Sequence, residues 1–269
     1  MITLYNFAQS TCSQKVRICL HEKKLEWKDE LLVSGDQKHL EDWYLKLNPN
    51  GVVPTLVYNN EKAIFESSAI MEYLDDEFPE ISLRPQNNNE IAQMRAWIAL
   101  IDHMTTPAVR YPSFQFGGLL EKFKSLSKEE YTNKIEKRPL KSDFYLAMDK
   151  DLGFAKNKIS SAMVAIRKTS ARMESLLKES KGPWILGGKF TVGDIVVGPL
   201  LDRIEDLGLE LIWTENFPLV TSWLKDFQKR RSVEKAFYPG SRLSEMFPNL
   251  KLGKGSNSEI VKKYLNNMA

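Results

Sequence analysis

The chain has 269 residues, 42% of them hydrophobic and 27% charged, enough for one large core or two smaller ones. Its apolar runs fall far short of the roughly 18 residues a membrane span needs, which points away from an integral membrane protein. Thirty-eight Lys and Arg against 35 Asp and Glu leave +3, spread along the chain without a dense basic block, so nucleic acid is not an expected partner.

Ile2 to Phe7 alternates like a strand and lacks the basic and continuous apolar regions of a secretory signal. Val16, Cys19 and Leu20 then recur at i, i+3 and i+4, the spacing of a helix. Cys12 and Cys19 are the only cysteines. On one helix they stand roughly 10 Å apart along the axis, too far for a disulfide, as suits a reducing compartment and a cytoplasmic location. His21, His39 and His103 are widely spaced, and no Cys/His cluster has metal-ligand spacing, so no metal is expected.

Glu26 to Val33 reads as a second strand, and Leu40, Trp43, Tyr44 and Leu47 as a helix stopped by Asn48-Pro49-Asn50-Gly51. Val52 to Tyr58 and Ala63 to Phe65 flank Asn59-Asn60-Glu61-Lys62, a hairpin signal, and Ile70, Tyr73 and Leu74 mark the next helix. The order βαβ, helix, ββ, helix predicts a small mixed sheet covered by helices over residues 1–80.

Pro79 to Asn89 reads as a linker. Beyond it the strand signal disappears, and residues 90–240 are expected to form a helical domain. Ile91, Met94, Arg95, Trp97, Ile98 and Ile101 fall on one long helix that Pro107 and Pro112 bend or end. Between about Tyr111 and Leu152 periodicity weakens and charge rises, which predicts a surface excursion with one or two short helices. Helix returns over Ala155 to Leu177, Ile195 to Leu207 and Leu219 to Phe227. Residues 241–269 read as an irregular tail before a short terminal helix.

Three separated signals in the first domain are able to build one site for a peptide thiol. Ser10-Thr11-Cys12-Ser13 stands between the first strand and helix. Hydroxyl residues there are ordinary N-caps, contributing about 1 kcal/mol, but the positive end of a helix also holds a thiolate. Lowering a thiol pKa from about 8.5 to about 6.5 takes roughly 2.7 kcal/mol of preferential anion stabilisation. Val53-Pro54 heads a strand, where proline is common and a trans bond is the base rate. A cis bond would instead turn the Val53 N–H and C=O outward, where an extended peptide pairs as an added strand. Glu66-Ser67-Ser68 precedes a helix and reads either as a cap with Ser67 at the N-cap or as a receptor for an amino-acid end.

These residues together resemble the soluble glutathione transferases, a thioredoxin-like α/β domain followed by an all-α helical domain. The resemblance rests on Leu4-Tyr5 with Ser10 to Arg17, on Leu47-Asn48-Pro49 with Val52 to Leu56, and on Glu66 to Ile70 with Tyr73-Leu74. Trp184 to Asp194 resembles the family's capping segment, in which Thr191 and Asp194 fix the start of a core helix. The resemblance implies that the Ser10 hydroxyl bonds the sulfur of glutathione, the co-substrate, and that Pro54 is the cis proline. It implies further that Val53 pairs with the cysteinyl backbone, that Glu66 and Ser67 hold the γ-glutamyl end, and that His39, with Lys38, meets the glycyl carboxylate.

Ser-Thr-Cys-Ser is also similar to the Ser-Ser-Cys of zeta-class isomerases and to the Ser-x-Cys of reductive dehalogenases of chlorinated hydroquinones. That similarity makes Cys12 either a second catalytic candidate, resolving a glutathionyl adduct by thiol exchange, or a small apolar filler. The excursion departs from compact zeta members and more loosely resembles bacterial enzymes that cleave β-aryl ethers. Met104, Tyr111, Phe114 and Phe116 are expected either to line an apolar electrophile pocket or to pack beneath the excursion.

The expected activity is attack by the glutathione thiol on a small apolar or aromatic electrophile, a transferase reaction of detoxification. The alternatives are isomerase, dehalogenase or thiol-transfer chemistry through Cys12, and a non-catalytic binding or scaffold protein. The resemblance also implies a homodimer.

Overall fold

The computed structural model describes residues 1–59, 62–140 and 142–265. Asn60 and Glu61, the middle of the expected hairpin turn, and Lys141 of the excursion lie outside the described residues, as do residues 266–269 of the tail.

The first domain is built from β1 (Ile2–Asn6), α1 (Thr11–Glu22), β2 (Trp27–Leu31), α2 (Asp42–Leu47), β3 (Thr55–Tyr58), β4 (Ile64–Phe65) and α3 (Ser67–Glu77). Its sheet has the order β2-β1-β3-β4. β1 runs parallel to β2, with Ile2 opposite Trp27, and antiparallel to β3, with Leu4 opposite Leu56. The alternation seen in the sequence is realised: Ile2, Leu4 and Asn6 point into the core while Thr3 and Tyr5 are less covered. β2 is shorter than expected at both ends, and β3 ends as expected at Tyr58 but begins only after Pro54, which has no N–H to pair.

α1 is central and buries Val16, Ile18, Cys19 and Leu20 together with two cations, Lys15 and Arg17. Arg17 Nε donates to Ala236 O at 2.8 Å, and its Nη atoms donate to Asn6 Oδ1, Phe7 O and Ala8 O at 2.5, 3.1 and 2.8 Å. Four hydrogen bonds from one planar fork explain how a guanidinium survives burial. Lys23 pairs with Asp75 at 2.9 Å, and Asp75 also accepts from Leu83 N and Arg84. Leu83 O in turn accepts from Val192 N at 2.8 Å, so the segment read as a linker is tied to both domains.

The second domain opens with α4 (Asn88–Leu100) and α5 (Thr106–Gln115), joined by a π-helical turn over Ile101–Thr105. Asn87 caps α4 by accepting from Asn89 N. Pro107 falls in the first turn of α5, where no partner for its missing N–H is needed, and Pro112 lies within it. The excursion carries α6 (Glu121–Lys124), α7 (Lys128–Glu136), α8 (Ser142–Leu146) and a two-stranded ladder of β5 (Met148–Asp149) and β6 (Gly153–Phe154). The ladder and the third helix go beyond the expectation. Gly153, at φ +84°, passes where a Cβ would collide with the Gln115 side chain, which accepts from Phe154 N and donates to Leu152 O.

α9 (Lys156–Ser180) is the long axis, burying Ile159, Met163, Ile166, Ser170, Met173 and Leu177 at helical spacing. α10 (Val192–Ile195), α11 (Gly198–Asp206), α12 (Leu211–Thr214), α13 (Pro218–Gln228) and α14 (Arg231–Ala236) complete the bundle. Thr191 and Asp194 form a capping box, and Asp194 also accepts from Ile185 N and Trp223 Nε1. Burial raises the Asp194 carboxyl to about 6, against these bonds, which lower it.

The tail departs from its expected irregularity in one added helix over Leu243–Met246, whereas the helix over Ser258–Leu265 is the expected terminal one. α15 (Leu243–Met246) and α16 (Ser258–Leu265) pack back on the bundle, with Leu243 and Val261 buried and Arg242 paired to Asp202 at 2.9 Å. Among the described residues no helix is long and apolar enough to cross a membrane.

Candidate functional site

A cleft of about 230 Å³ opens between the two domains. One wall comes from the first domain: Phe7, Gln9 to Cys12, Ser34, His39 and the Gly51-Val52-Val53 turn. The other is side chains from the second: Val109, Arg110, Ser113 and Phe114 of α5, Phe123 and Tyr145 of the excursion, and Arg203 of α11.

Ser10 sits at the N-cap of α1 with extended backbone and accepts from Ser13 N at 3.3 Å. A hydroxyl has one donor and two acceptor sites, so this cap leaves its proton free to point at a ligand. Cys12 lies in the first turn of the same helix, half-buried, and also lines the cleft. Cys19, about two turns further along the same helix, is wholly buried, and desolvation pushes its thiol far up despite nearby Lys23.

The opposite corner of this wall is held by Asn48, wholly buried at the end of α2. Its Nδ2 donates to Val52 O and Thr55 Oγ1, both at 2.9 Å, and its Oδ1 accepts from Asn50 N at 3.0 Å. Tyr44 OH donates to Val52 O at 2.7 Å. Gly51 follows at φ +57°, with the Leu40 and Pro139 side chains where a Cβ would stand. The Asn48-Pro49-Asn50-Gly51 stop thus sets the height of Val53 above α1. The Val53–Pro54 bond is cis, and Val53 borders the cleft while Pro54 does not.

His39 lies in a short 3-10 turn, Lys38–Leu40, with its ring edge-on to Phe7 at 5.0 Å. It is buried, unlike the solvated histidine that a surface helix suggests, and it lines the cleft; Lys38 is exposed. Glu66, not Ser67, is the N-cap of α3, and it caps without its side chain. Its backbone, at φ 69° and ψ 115°, occupies a region that non-glycine residues rarely enter. Ser67 is buried in the first turn, and neither residue lines the cleft.

In the second domain Phe114 lines the cleft and also packs on Phe123, Phe144 and Tyr145. Tyr111 does not reach it, lying between Phe144 and Phe154 with ring centroids 5.1 and 4.7 Å away. Phe116 is likewise absent from the lining. The expectation for Met104 is corrected: it borders a separate cavity with Ser161, Val164 and Ala165. The wide turn at Ile101–Thr105 inserts a residue into the helical period and rotates Met104 toward α9.

Sequence reasoning missed Gln9, Ser34, Arg110, Lys122, Arg138 and Arg203. Arg203 Nη2 donates to Gln9 O at 2.6 Å, and burial depresses its pKa against the fields of Asp206 and Asp202. Gln9 and Lys122 both donate to Ser34 Oγ, at 2.9 and 3.0 Å. None of these residues belongs to a short local motif, which is why no pattern marks them. Among the described residues no cluster of His, Cys, Asp or Glu is arranged to hold a metal ion.

A four-stranded mixed sheet against a mainly helical second domain, with a cleft at the sheet domain's first helix, defines the class. Residues 9–77 match the family of glutathione S-transferase N-terminal domains, and residues 134–226 that of the C-terminal domains. Glutathione S-transferase 1 of Dianthus caryophyllus is 30% identical over 220 residues, 81% of this chain and 83% of its own. The chain belongs to the glutathione S-transferase family.

It is also similar to protein LigF of Sphingobium sp. strain SYK-6, 27% identical over 90% of this chain and 95% of that one. The crystal structure of that protein, β-etherase LigF, superposes with a TM-score of 0.79, covering 88% of this chain and 98% of that one at 25% identity. Glutathione transferase URE2P6 from Phanerochaete chrysosporium, in complex with oxidized glutathione, shares the fold at a TM-score of 0.66 and 22% identity, over 88% of this chain and 94% of its own.

Proposed function

We propose that this protein is a glutathione transferase that activates the glutathione thiol at the start of α1 for attack on an electrophile bound against the second domain. The observation that carries this reading is the meeting of Ser10, Cys12, His39 and Val53 in one cleft whose far wall carries Phe114, Phe123 and Tyr145.

The Ser10 hydroxyl, fixed by Ser13 N, has its proton available for the sulfur, and the open amides of the first turn of α1 add positive potential. Val53 offers backbone to an extended peptide, His39 and Lys38 take the glycyl carboxylate, and Ser67 with Glu66 takes the γ-glutamyl end. Tethering glutathione at these points converts attack into an effectively intramolecular step. The strained backbone of Glu66 beside α3 supports a binding role there, since such strain persists where the surroundings over-determine it.

The test separates chemistry from capping. Ser10→Ala removes both functions, whereas Ser10→Asp keeps the acceptor for Ser13 N but brings no neutral donor. Loss of a hydrogen bond to an anion costs about 1.5–3 kcal/mol, on the order of 10- to 100-fold in kcat/KM. We expect both variants to lose that much and the thiol pKa of bound glutathione, read by thiolate absorbance, to rise, with Ser10→Asp retaining stability. Unchanged kinetics and titration in Ser10→Ala would remove Ser10 from the mechanism.

A second reading follows from Cys12, the half-exposed thiol in the same cleft. Its thiolate would attack oxidised glutathione, forming a mixed disulfide and releasing one reduced glutathione. Intact mass after incubation with oxidised glutathione, compared in Cys12→Ser, decides it. Binding of glutathione without turnover of any electrophile would favour a scaffold role instead.

A further inference from the structure

The charge on the two walls of the cleft is unequal. Arg110, Lys122, Arg138 and Arg203 all line it, and among the described residues no aspartate or glutamate does. Arg203 is accounted for: it donates to Gln9 O and lies in the fields of Asp206 and Asp202. The other three form no ion pair among the described residues.

Their surroundings hold them in place without neutralising them. The Arg110 guanidinium lies over the Phe144 ring at 5.1 Å and that of Arg138 over the Tyr145 ring at 4.4 Å. Stacking fixes each planar fork and leaves its N–H edges for a ligand. Arg138 Nε is buried without a hydrogen-bond partner among the described residues, a donor that a bound acceptor would satisfy. Among the described residues Lys122 Nζ has the neutral Ser34 hydroxyl as its hydrogen-bond partner, at 3.0 Å. The residue is exposed and lines the cleft, and desolvation there lowers its pKa. All three line one cavity that holds no carboxylate among the described residues, so an anion bound there would meet a positive wall without a competing partner.

Arg110 and Phe114 stand one helical turn apart on α5 and both face the cleft, so the cations adjoin the aromatic wall. On the reading above, the carboxylates of glutathione are met by His39 with Lys38 and at the start of α3, on the first domain. The cations of the second domain are then left for the other substrate. We propose that the electrophile taken by this cleft is an aromatic or similarly flat apolar molecule bearing an anionic group, a carboxylate or its equivalent, held by Arg110, Lys122 and Arg138. This inference rests on the transferase reading.

The test uses 4-chloro-3,5-dinitrobenzoate and its methyl ester, with 3,5-dinitrobenzoate and its ester as unreactive counterparts. In the reaction the glutathione sulfur bonds to the ring carbon, chloride leaves with the C–Cl electron pair, and the thiol proton goes to solvent. Calorimetry without glutathione is expected to show 3,5-dinitrobenzoate binding at least about tenfold tighter than its ester, the worth of one charge-assisted bond. KM for the chlorinated pair should follow the same order, and added salt should shrink the preference. Lys122→Met and Arg110→Met should each reduce the acid-to-ester ratio several-fold without changing the dissociation constant of glutathione, and Lys122→Arg should restore it.

Equal binding of acid and ester by the native protein overturns the anion preference and leaves the transferase reading intact. A weakened affinity for glutathione in Lys122→Met or Arg110→Met, with the acid-to-ester ratio unchanged, also overturns it, by assigning these cations to the peptide. Failure of the native protein to bind glutathione overturns the transferase reading, and the substrate role with it, even if the acid binds.

Discussion

The two walls of the cleft are made by different means. The first-domain wall is shaped by its backbone path: a helix N-cap at Ser10, a left-handed turn at Gly51 and the buried Val53 before the cis bond, with Cys12 and His39 lining the cleft beside them. The second-domain wall is a matter of side chains, Arg110, Phe114, Lys122, Phe123, Arg138 and Tyr145, reaching in from α5 and the excursion. A backbone site is fixed by dihedral angles and hydrogen bonds and tolerates almost any neighbouring side chain. A side-chain site changes with every substitution while the fold stays. The division suits a protein whose first ligand is constant and whose second is chosen.

The largest expected effect tests the support of the backbone wall. Arg17 ties Phe7 O and Ala8 O, in the loop leading to Ser10, to Ala236 O of α14. Arg17→Met keeps much of the stem and leaves these carbonyls and Asn6 Oδ1 without their donor. We expect a loss of about 3–5 kcal/mol, read by urea unfolding, together with weaker glutathione binding in whatever fraction remains folded. Lysine should not rescue it, since one ammonium does not reproduce the planar fork. A cost below about 1 kcal/mol would break the comparison, because the backbone wall would then not depend on this tie.

A middle-sized effect sharpens the other side. Phe114 stacks on Phe123, with centroids 6.3 Å apart, and meets Phe144 and Tyr145 edge-on at 5.2 and 5.8 Å. Phe114→Leu loses ring contacts and some volume, for about 1–2 kcal/mol of stability. KM for an aromatic electrophile should rise several-fold while KM for glutathione stays within error. Equal rises in both would mean that the walls are not separable.

The same division explains what was legible in the sequence. Backbone features need particular residues at short spacing, so Ser10-Thr11-Cys12-Ser13, Asn48-Pro49-Asn50-Gly51 and Thr191 with Asp194 announce themselves as caps and stops. Ile2 and Leu4 show the strand period, and the spacing of Ile159 to Leu177 shows the helix of α9. The excursion hides because its helices are short and its ladder strands have two residues each, too few for any period to register. Tyr111 and Phe114, three residues apart, both pack on Phe144, but only Phe114 also lines the cleft. Met104 is misread because the π-helical turn leaves no mark in composition. Arg203 and Lys122 look like any surface cation until the chain is folded, since their meaning comes from residues far away in sequence, Gln9 and Ser34.

The smallest effect in stability probes where the two walls meet. Cys12 and Cys19 share α1, but Cys12 faces the cleft half-buried and Cys19 faces the core, where desolvation holds its thiol protonated. The native protein should therefore take up one equivalent of iodoacetamide, at Cys12, and a second only on unfolding. Cys12→Ala removes a small, partly exposed group and should change stability by less than about 1 kcal/mol. Glutathione, if it lies over the first turn of α1 as proposed, should slow the labelling of Cys12. 3,5-Dinitrobenzoate, held toward Arg110 and Lys122, should slow it less. Labelling slowed equally by the two ligands would mean that both occupy the same ground, and the separation of a backbone wall for the peptide from a side-chain wall for its partner would have to be abandoned.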